Sequence, residues 1–205
     1  LAERRSVEPI LPLSLFRNRI VTLSEIVIFF TAFGMFSTII FVPLFFQGVL
    51  GLSATTSGSF LTPMMLGVVT GSLLSGQVLS RAGGHYRIQG AVGILLMALG
   101  MAFMSQMTFE TSYARAIVNI VLTGFGLGIT MPLYTIAVQN AVPHNILGVA
   151  TASTAFFRSI GGSVGLAIFG SVLNNRFTSD FPKHLSPEAK AVIPPEQLEF
   201  LTRNP

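Results

Sequence analysis

The sequence predicts an all-α membrane protein, a bundle of helices that crosses a bilayer five times. Three observations predict it. The first is composition: 51% of the 205 residues are hydrophobic and only 10% are charged, against about 25% charged in a soluble domain. That supply cannot solvate the exterior of a water-soluble fold. The second is the arrangement of the apolar residues in five runs, each long enough for the ~20 residues that a helix needs to cross the hydrocarbon core. The third is the recurrence of small residues at helical spacing within those runs, which suits helix contact in lipid, where van der Waals packing replaces a hydrophobic driving force.

Residues 1–19 form a basic, proline-containing lead-in. Leu11, Leu13, Leu15 and Phe16 suit the membrane interface, with Arg17 and Arg19 among the headgroups. The first span, 20–46, holds Glu25 near its basic end and Pro43 near the other. The second, 57–80, is uncharged; Gly67 and Gly71 make a GxxxG, and Ser72 with Gly76 repeats the spacing, which predicts a close helix contact. The third, 88–107, carries Met97, Met101 and Met104 on one face, either as packing or as an adaptable apolar surface for ligands. The fourth, 113–138, has Arg115 near its start, Gly124, Gly126 and Gly128 at its middle, and then Pro132; three alternate glycines permit close approach and bending. They follow no strand, so they are not a dinucleotide fingerprint.

The fifth span, 146–173, carries one charge, Arg158. At ~100° per residue, Phe157, Ile160, Val164 and Ile168 share one face and Gly148, Ala152, Ala155, Ser159, Gly162 and Gly170 another. This predicts lipid on the bulky side and a helix contact on the small side. An arginine near mid-membrane costs at least ~2.5 kcal/mol, so Arg158 is expected to point into the protein or a watery cavity. Residues 174–205 are polar and proline-rich, and two short helices outside the membrane are expected there, one at Ser186-Pro187-Glu188 and one at Pro194-Pro195-Glu196.

The net charge of +4 does not signal nucleic-acid binding, because the basic residues are scattered and flank apolar runs, where they act as topology signals. Arg4, Arg5, Arg17, Arg19, Arg81 and Arg87 fall on one side of a five-span arrangement and Arg115 on the other. The positive-inside rule therefore puts the N-terminus in the cytoplasm and the C-terminal tail outside. The chain has no cysteine, which excludes disulfides and thiolate metal sites. The histidines, His85, His144 and His184, lie in separate loops, and no paired carboxylates or Ser/His/Asp set falls within the spans. No enzyme, cofactor or metal site is expected. The candidates for a transport path are Arg158, Glu25, Asn119, Tyr134 and Gln139; for each, a structural role in the bundle competes with the functional one.

Several motifs resemble a known family. Gly76-Gln77-Val78-Leu79-Ser80-Arg81-Ala82-Gly83-Gly84-His85, followed by Arg87, is similar to the loop G-x-x-x-[DN]-R-x-G-[RK]-[RK] of the major facilitator superfamily. Gly76, Arg81 and Gly83 match; Ser80 stands for the acidic residue, and Gly84 and His85 for the basic pair. The set Gly124-x-Gly126-x-Gly128-x-x-x-Pro132, Gln139 to Pro143, and Phe157-Arg158-x-x-Gly161-Gly162-x-x-Gly165-x-Ala167 resembles the C-terminal half of 14-helix drug:proton antiporters of the EmrB/QacA type. So does the lead-in Leu13-x-Leu15-Phe16-Arg17-Asn18-Arg19. The resemblance implies five of the six helices of that half. It implies a multi-pass fragment of a secondary transporter in the cytoplasmic membrane, exporting hydrophobic drugs against protons and partnered by lipid, the missing N-terminal half and a last helix. A metabolite or lipid exporter on the same fold, or a non-transporting scaffold, is the alternative. The absent initiator Met fits the reading as a piece of a longer chain.

Overall fold

The computed structural model describes residues 13–48, 51–81, 86–108 and 110–184. Among them there is no strand. A 3-10 turn, Leu13–Arg17, leads into α1 (Arg19–Gly48). Then come α2 (Ala54–Ser59), α3 (Leu61–Arg81), α4 (Tyr86–Ser105), α5 (Tyr113–Asn140) and α6 (Leu147–His184). Five helical segments are long and apolar enough to cross a membrane, α2 and α3 counting together as one. Many large apolar side chains point outward, among them Leu66, Leu73, Ile88 and Leu95. In water this surface would aggregate; in a bilayer it is the lipid-facing coat.

Helix α5 is the axis, packed between α3 and α4, while α1 pairs with α6 and touches α5 from the side. Glycine sets these contacts. Gly124 and Gly128 lie against the backbone of Met64 and Val68 on α3, and Gly67 and Gly71 return the contact against Val121 and Phe125. Equal four-residue steps on both helices make α3 and α5 parallel. Gly126, two residues from each of its neighbours, faces the other way and meets Gly93 and Met97 of α4. The alternate spacing of the three glycines thus serves two interfaces, since an i, i+2 step turns a helix by ~200°. Gly161 and Gly165 of α6 lie on the backbone of Phe29 and Phe33 of α1, again in parallel register, and Gly162 lies under the Phe36 ring.

This contact corrects the sequence reading of α6. Gly161, Gly162 and Gly165 are buried with Ser153 and Thr154, whereas Gly148, Ala152, Ala155 and Ser159 are exposed and Gly170 is half-exposed. The packed face is turned by about a quarter of the circumference from the one averaged over all small residues. Only glycine lets two backbones touch, so three glycines outweigh a longer stripe of alanine and serine.

Three further features bear on the sequence reading. The second span is two helices, broken at Phe60. Ser53 caps α2 by accepting from the Thr56 N–H at 3.2 Å, and Pro63 has no N–H for the Ser59 carbonyl four residues back. Phe60 is buried there, stacked on Phe46 at 3.8 Å and against Tyr113 at 4.9 Å. Helix α6 continues beyond the span read as 146–173, to His184, because polar residues end a membrane span without ending a helix. The helices expected at 186 and 194 lie outside the described residues. Leu15 is covered by protein: it is buried with Val21, Val138 and Ala150 in a cluster joining the starts of α1 and α6 to the end of α5. Phe16 packs edge-on against Phe157.

The methionines are packing residues. Met97 and Met101 fill the notch over Gly34 of α1, and Met104 lies on the Phe46–Phe60 cluster. Two buried hydroxyls satisfy themselves on their own helix: Thr38 donates to Gly34 O at 2.8 Å and Thr123 to Asn119 O at 2.9 Å, which makes them tolerable in an apolar interior.

The glycine contacts predict a contrast within α3. A Cβ at Gly71 overlaps the Phe125 carbonyl, while Gly76 has open space around it. In the full-length protein, Gly71→Ala should lower thermal stability by about 1–3 kcal/mol and Gly76→Ala should leave it within about 0.5 kcal/mol, read from melting in detergent.

Candidate functional site: a cleft around Arg158

The pairing of α6 with α1 leaves few contacts between α6 and α5, and a cleft of about 420 Å³ opens there. It is lined by Val68 and Ser72 of α3, by Gly128, Met131, Pro132, Thr135 and Ile136 of α5, and by Arg158 of α6. Its size falls in the range of ~300–1,000 Å³ typical of small-molecule sites, and its walls are mostly apolar with a few polar groups, as such sites usually are. Among the described residues, Arg158 is the only charged one in the lining.

The guanidinium is held loosely. One Nη donates to the Thr135 hydroxyl at 3.3 Å, and that hydroxyl donates in turn to the Met131 carbonyl at 2.9 Å. The Arg158 Nε is buried without a partner. A second polar feature comes from Pro132. It has no N–H to offer the carbonyl of Gly128, one turn back, so that oxygen loses its helical partner, and both residues line the cleft. The cleft therefore combines a cation, whose unpartnered Nε is itself buried away from the open space, with a helix carbonyl that has no i+4 N–H partner. At an effective dielectric of 20, a unit charge ~4 Å from a guanidinium interacts by about 4 kcal/mol. The sign of a guest's charge would thus outweigh one or two of its methylene groups, at about 0.8 kcal/mol each.

A second, smaller recess shares Arg158 and Tyr134 with Ile28, Thr31, Thr130 and Met131. Tyr134 also rests its hydroxyl over Gly90 of α4. Glu25 lies behind the cleft, in the α1–α6 interface at the level of Phe157, given the register set by Gly161 and Gly165. It is 1% exposed, and neither carboxylate oxygen has a hydrogen-bond partner. Ser153 and Arg158 are the polar groups nearest to it in effect, and the Ser153 hydroxyl is itself buried and unpartnered. Unsatisfied buried groups are rare in folded proteins and mark functional or strained places; here Glu25, Ser153 and Arg158 fall on one interface.

The structure thus brings together Arg158, Tyr134 and, behind them, Glu25. It does not bring in the other two sequence candidates. Asn119 is buried on α5 with its amide nitrogen unpartnered, its backbone beside Gly100 of α4. Gln139 donates to the Thr151 hydroxyl at 3.2 Å and ties the end of α5 to the start of α6. Arg115 is exposed at the start of α5. Of the loop motif, Gly76, Arg81 and Arg87 are exposed and Gly83 lies outside the described residues. Sequence reasoning missed Thr135 and Ser72. A signal existed for each: Thr135 lies one turn beyond Pro132, and Ser72 one turn beyond Val68, the residue that meets Gly128.

A polytopic bundle of parallel and antiparallel glycine-packed helices, with a mostly apolar cleft lined by one half-buried arginine, defines an integral membrane protein. The chain belongs to the Major Facilitator Superfamily, whose family model matches residues 2–166. It is 40% identical over 176 residues to the multidrug transporter protein MdtP of Bacillus subtilis, a match covering 86% of this chain and 32% of that protein. It is 34% identical over 179 residues to multidrug resistance protein 3 of the same organism, covering 87% and 35%. It is 37% identical over 171 residues to a tetracycline resistance determinant of Streptomyces rimosus, covering 83% and 49%. The chain spans about a third of the length of the two Bacillus relatives.

The unpartnered carboxyl of Glu25 predicts the direction of a stability change. An ionised carboxylate buried without donors costs several kcal/mol. Glu25→Gln should leave the melting temperature of the full-length protein in detergent at neutral pH equal or raised. A fall of several degrees would mean that the carboxylate is paired and charged.

Proposed function

We propose that the chain is five of the six helices of the C-terminal half of a 14-helix drug:proton antiporter of the EmrB/QacA type. The whole protein exports hydrophobic compounds across the cytoplasmic membrane in exchange for protons. The N-terminus of this piece is cytoplasmic and its C-terminal tail external; the missing N-terminal half and a last helix complete the bundle. The half rocks against its partner half around a site near the membrane midplane. Arg158 lines that site, Tyr134 lines the smaller recess beside it, and Glu25 supports it from behind.

The observation that carries this reading is the Arg158 cleft, in a chain whose relatives are named for multidrug and tetracycline resistance. A bundle held only for support would gain nothing from an arginine at the edge of a void, since filling the site with apolar side chains is the more stable solution. Loop charge supports the orientation: Arg17, Arg19, Arg81 and Arg87 lie at one end, and the described short loops at the other carry only Arg115, the long C-terminal segment with Arg176 being left out of the count.

The test is expression of the full-length protein in a bacterium lacking its main efflux pumps. Tolerance of hydrophobic antibiotics should rise severalfold, and collapse of the proton gradient should abolish the effect. Arg158→Ala should remove most of the tolerance while the amount of folded protein in the membrane stays near that of the wild type. An equal loss of protein and tolerance would make Arg158 a purely structural residue.

A further inference from the structure

We infer that the Arg158 cleft selects anionic or oxygen-rich aromatic guests, such as ring systems bearing a carboxylate, phenolate or enolate, over permanent cations of the same shape. The inference rests on the export reading and gives its substrate class. It follows from what faces the cleft and from what does not.

Among the described residues of this chain, Arg158 is the sole charged one in the lining, and none of the others there is acidic. The guanidinium is not neutralised by a direct ion pair: its polar partner is the Thr135 hydroxyl, and its Nε hydrogen has no acceptor. Glu25, the nearest acid, is sealed in the α1–α6 interface and does not line the cleft. In a site walled by Val68, Met131, Pro132 and Ile136, a positive charge is poorly screened, so a guest oxygen that carries negative charge gains and a guest cation loses. The planar guanidinium also presents paired donors in a fork that fits a carboxylate or an enolate with an adjacent carbonyl. The lining also holds Ser72, whose hydroxyl can donate, and Gly128, whose carbonyl has no N–H to accept from at Pro132. An aromatic skeleton with an acidic oxygen at one edge and a hydroxyl at the other therefore matches the polar groups of the site, and the apolar walls accept its faces.

The experiment uses two dyes that share a xanthene skeleton and differ in charge, fluorescein and rhodamine 6G, with the purified full-length protein. Binding is read by fluorescence anisotropy and export by loading of inverted vesicles. The wild type should bind fluorescein at least about tenfold more tightly than rhodamine 6G. Arg158→Gln should remove that preference by weakening fluorescein alone. Arg158→Lys should restore part of it, because the charge returns without the fork. Thr135→Val, which leaves the charge but removes its anchor, serves if Arg158→Gln fails to fold, and should reduce the preference while rhodamine binding holds. A wild type that prefers rhodamine 6G, or variants that weaken both dyes equally, would overturn the inference. Export of rhodamine 6G alone would overturn it while leaving the efflux reading intact. Charge-selective binding without export of either dye would uphold the anion site and contradict the efflux reading.

Discussion

Backbone touching backbone at glycine holds this bundle together. In a bilayer, burying an apolar side chain between helices gains little over leaving it in lipid, so association depends on close van der Waals fit. Helix α5 meets α3 through Gly124 and Gly128 and meets α4 through Gly126, and α6 meets α1 through Gly161 and Gly165. Each contact brings main chains within reach where any side chain would hold them apart. Among the described residues the two larger apolar clusters, around Phe46 and Phe60 and around Leu15 and Val138, close the ends of the bundle rather than its middle. The middle holds the glycine contacts, single buried apolar side chains such as Ile28, Met97, Leu127 and Leu133, and the Arg158 cleft.

The cleft is a consequence of those contacts. Because α6 is drawn against α1 by its glycines, it stands away from α5, and a gap forms where Arg158 leaves the helix one turn before Gly161 and Gly162. The same register sets Glu25 and Ser153 on the buried side of α6, where they keep unpaired polar atoms.

Much of the fold was readable in the sequence, and the reasons are physical. Apolar runs of membrane length and the near absence of charge leave few alternatives, and GxxxG between Gly67 and Gly71 pointed to a contact that the structure contains. The facing of α6 was not readable from an average over small residues, because glycine and alanine differ in kind at a backbone contact. The break at Phe60 falls inside the span read from 57, and Pro63 signals it. Of the cleft, Arg158 and Pro132 stood out in the sequence as oddities within a membrane helix. Thr135 and Ser72 did not, since hydroxyls are common in such helices and only the neighbouring helix decides which of them meets a cavity. Asn119 drew notice for its polarity, yet its side chain is buried away from the cleft; burial of a polar group says little about which space it faces.

The central claim is that the space around Arg158 is a water-reachable cleft within the membrane and not a packed helix contact. The chain itself contains no cysteine, so single cysteines introduced into an otherwise cysteine-free full-length protein report accessibility cleanly. Ser72 and Leu73 are neighbours on α3; the first lines the cleft and the second points outward. The most direct measurement is the rate at which a charged, membrane-impermeant methanethiosulfonate modifies Ser72→Cys, Thr135→Cys and Leu73→Cys in intact membranes. The account predicts modification at 72 and 135, faster for the anionic than for the cationic reagent, and none at 73. Equal protection at all three positions, or labelling at 73 alone, would contradict it.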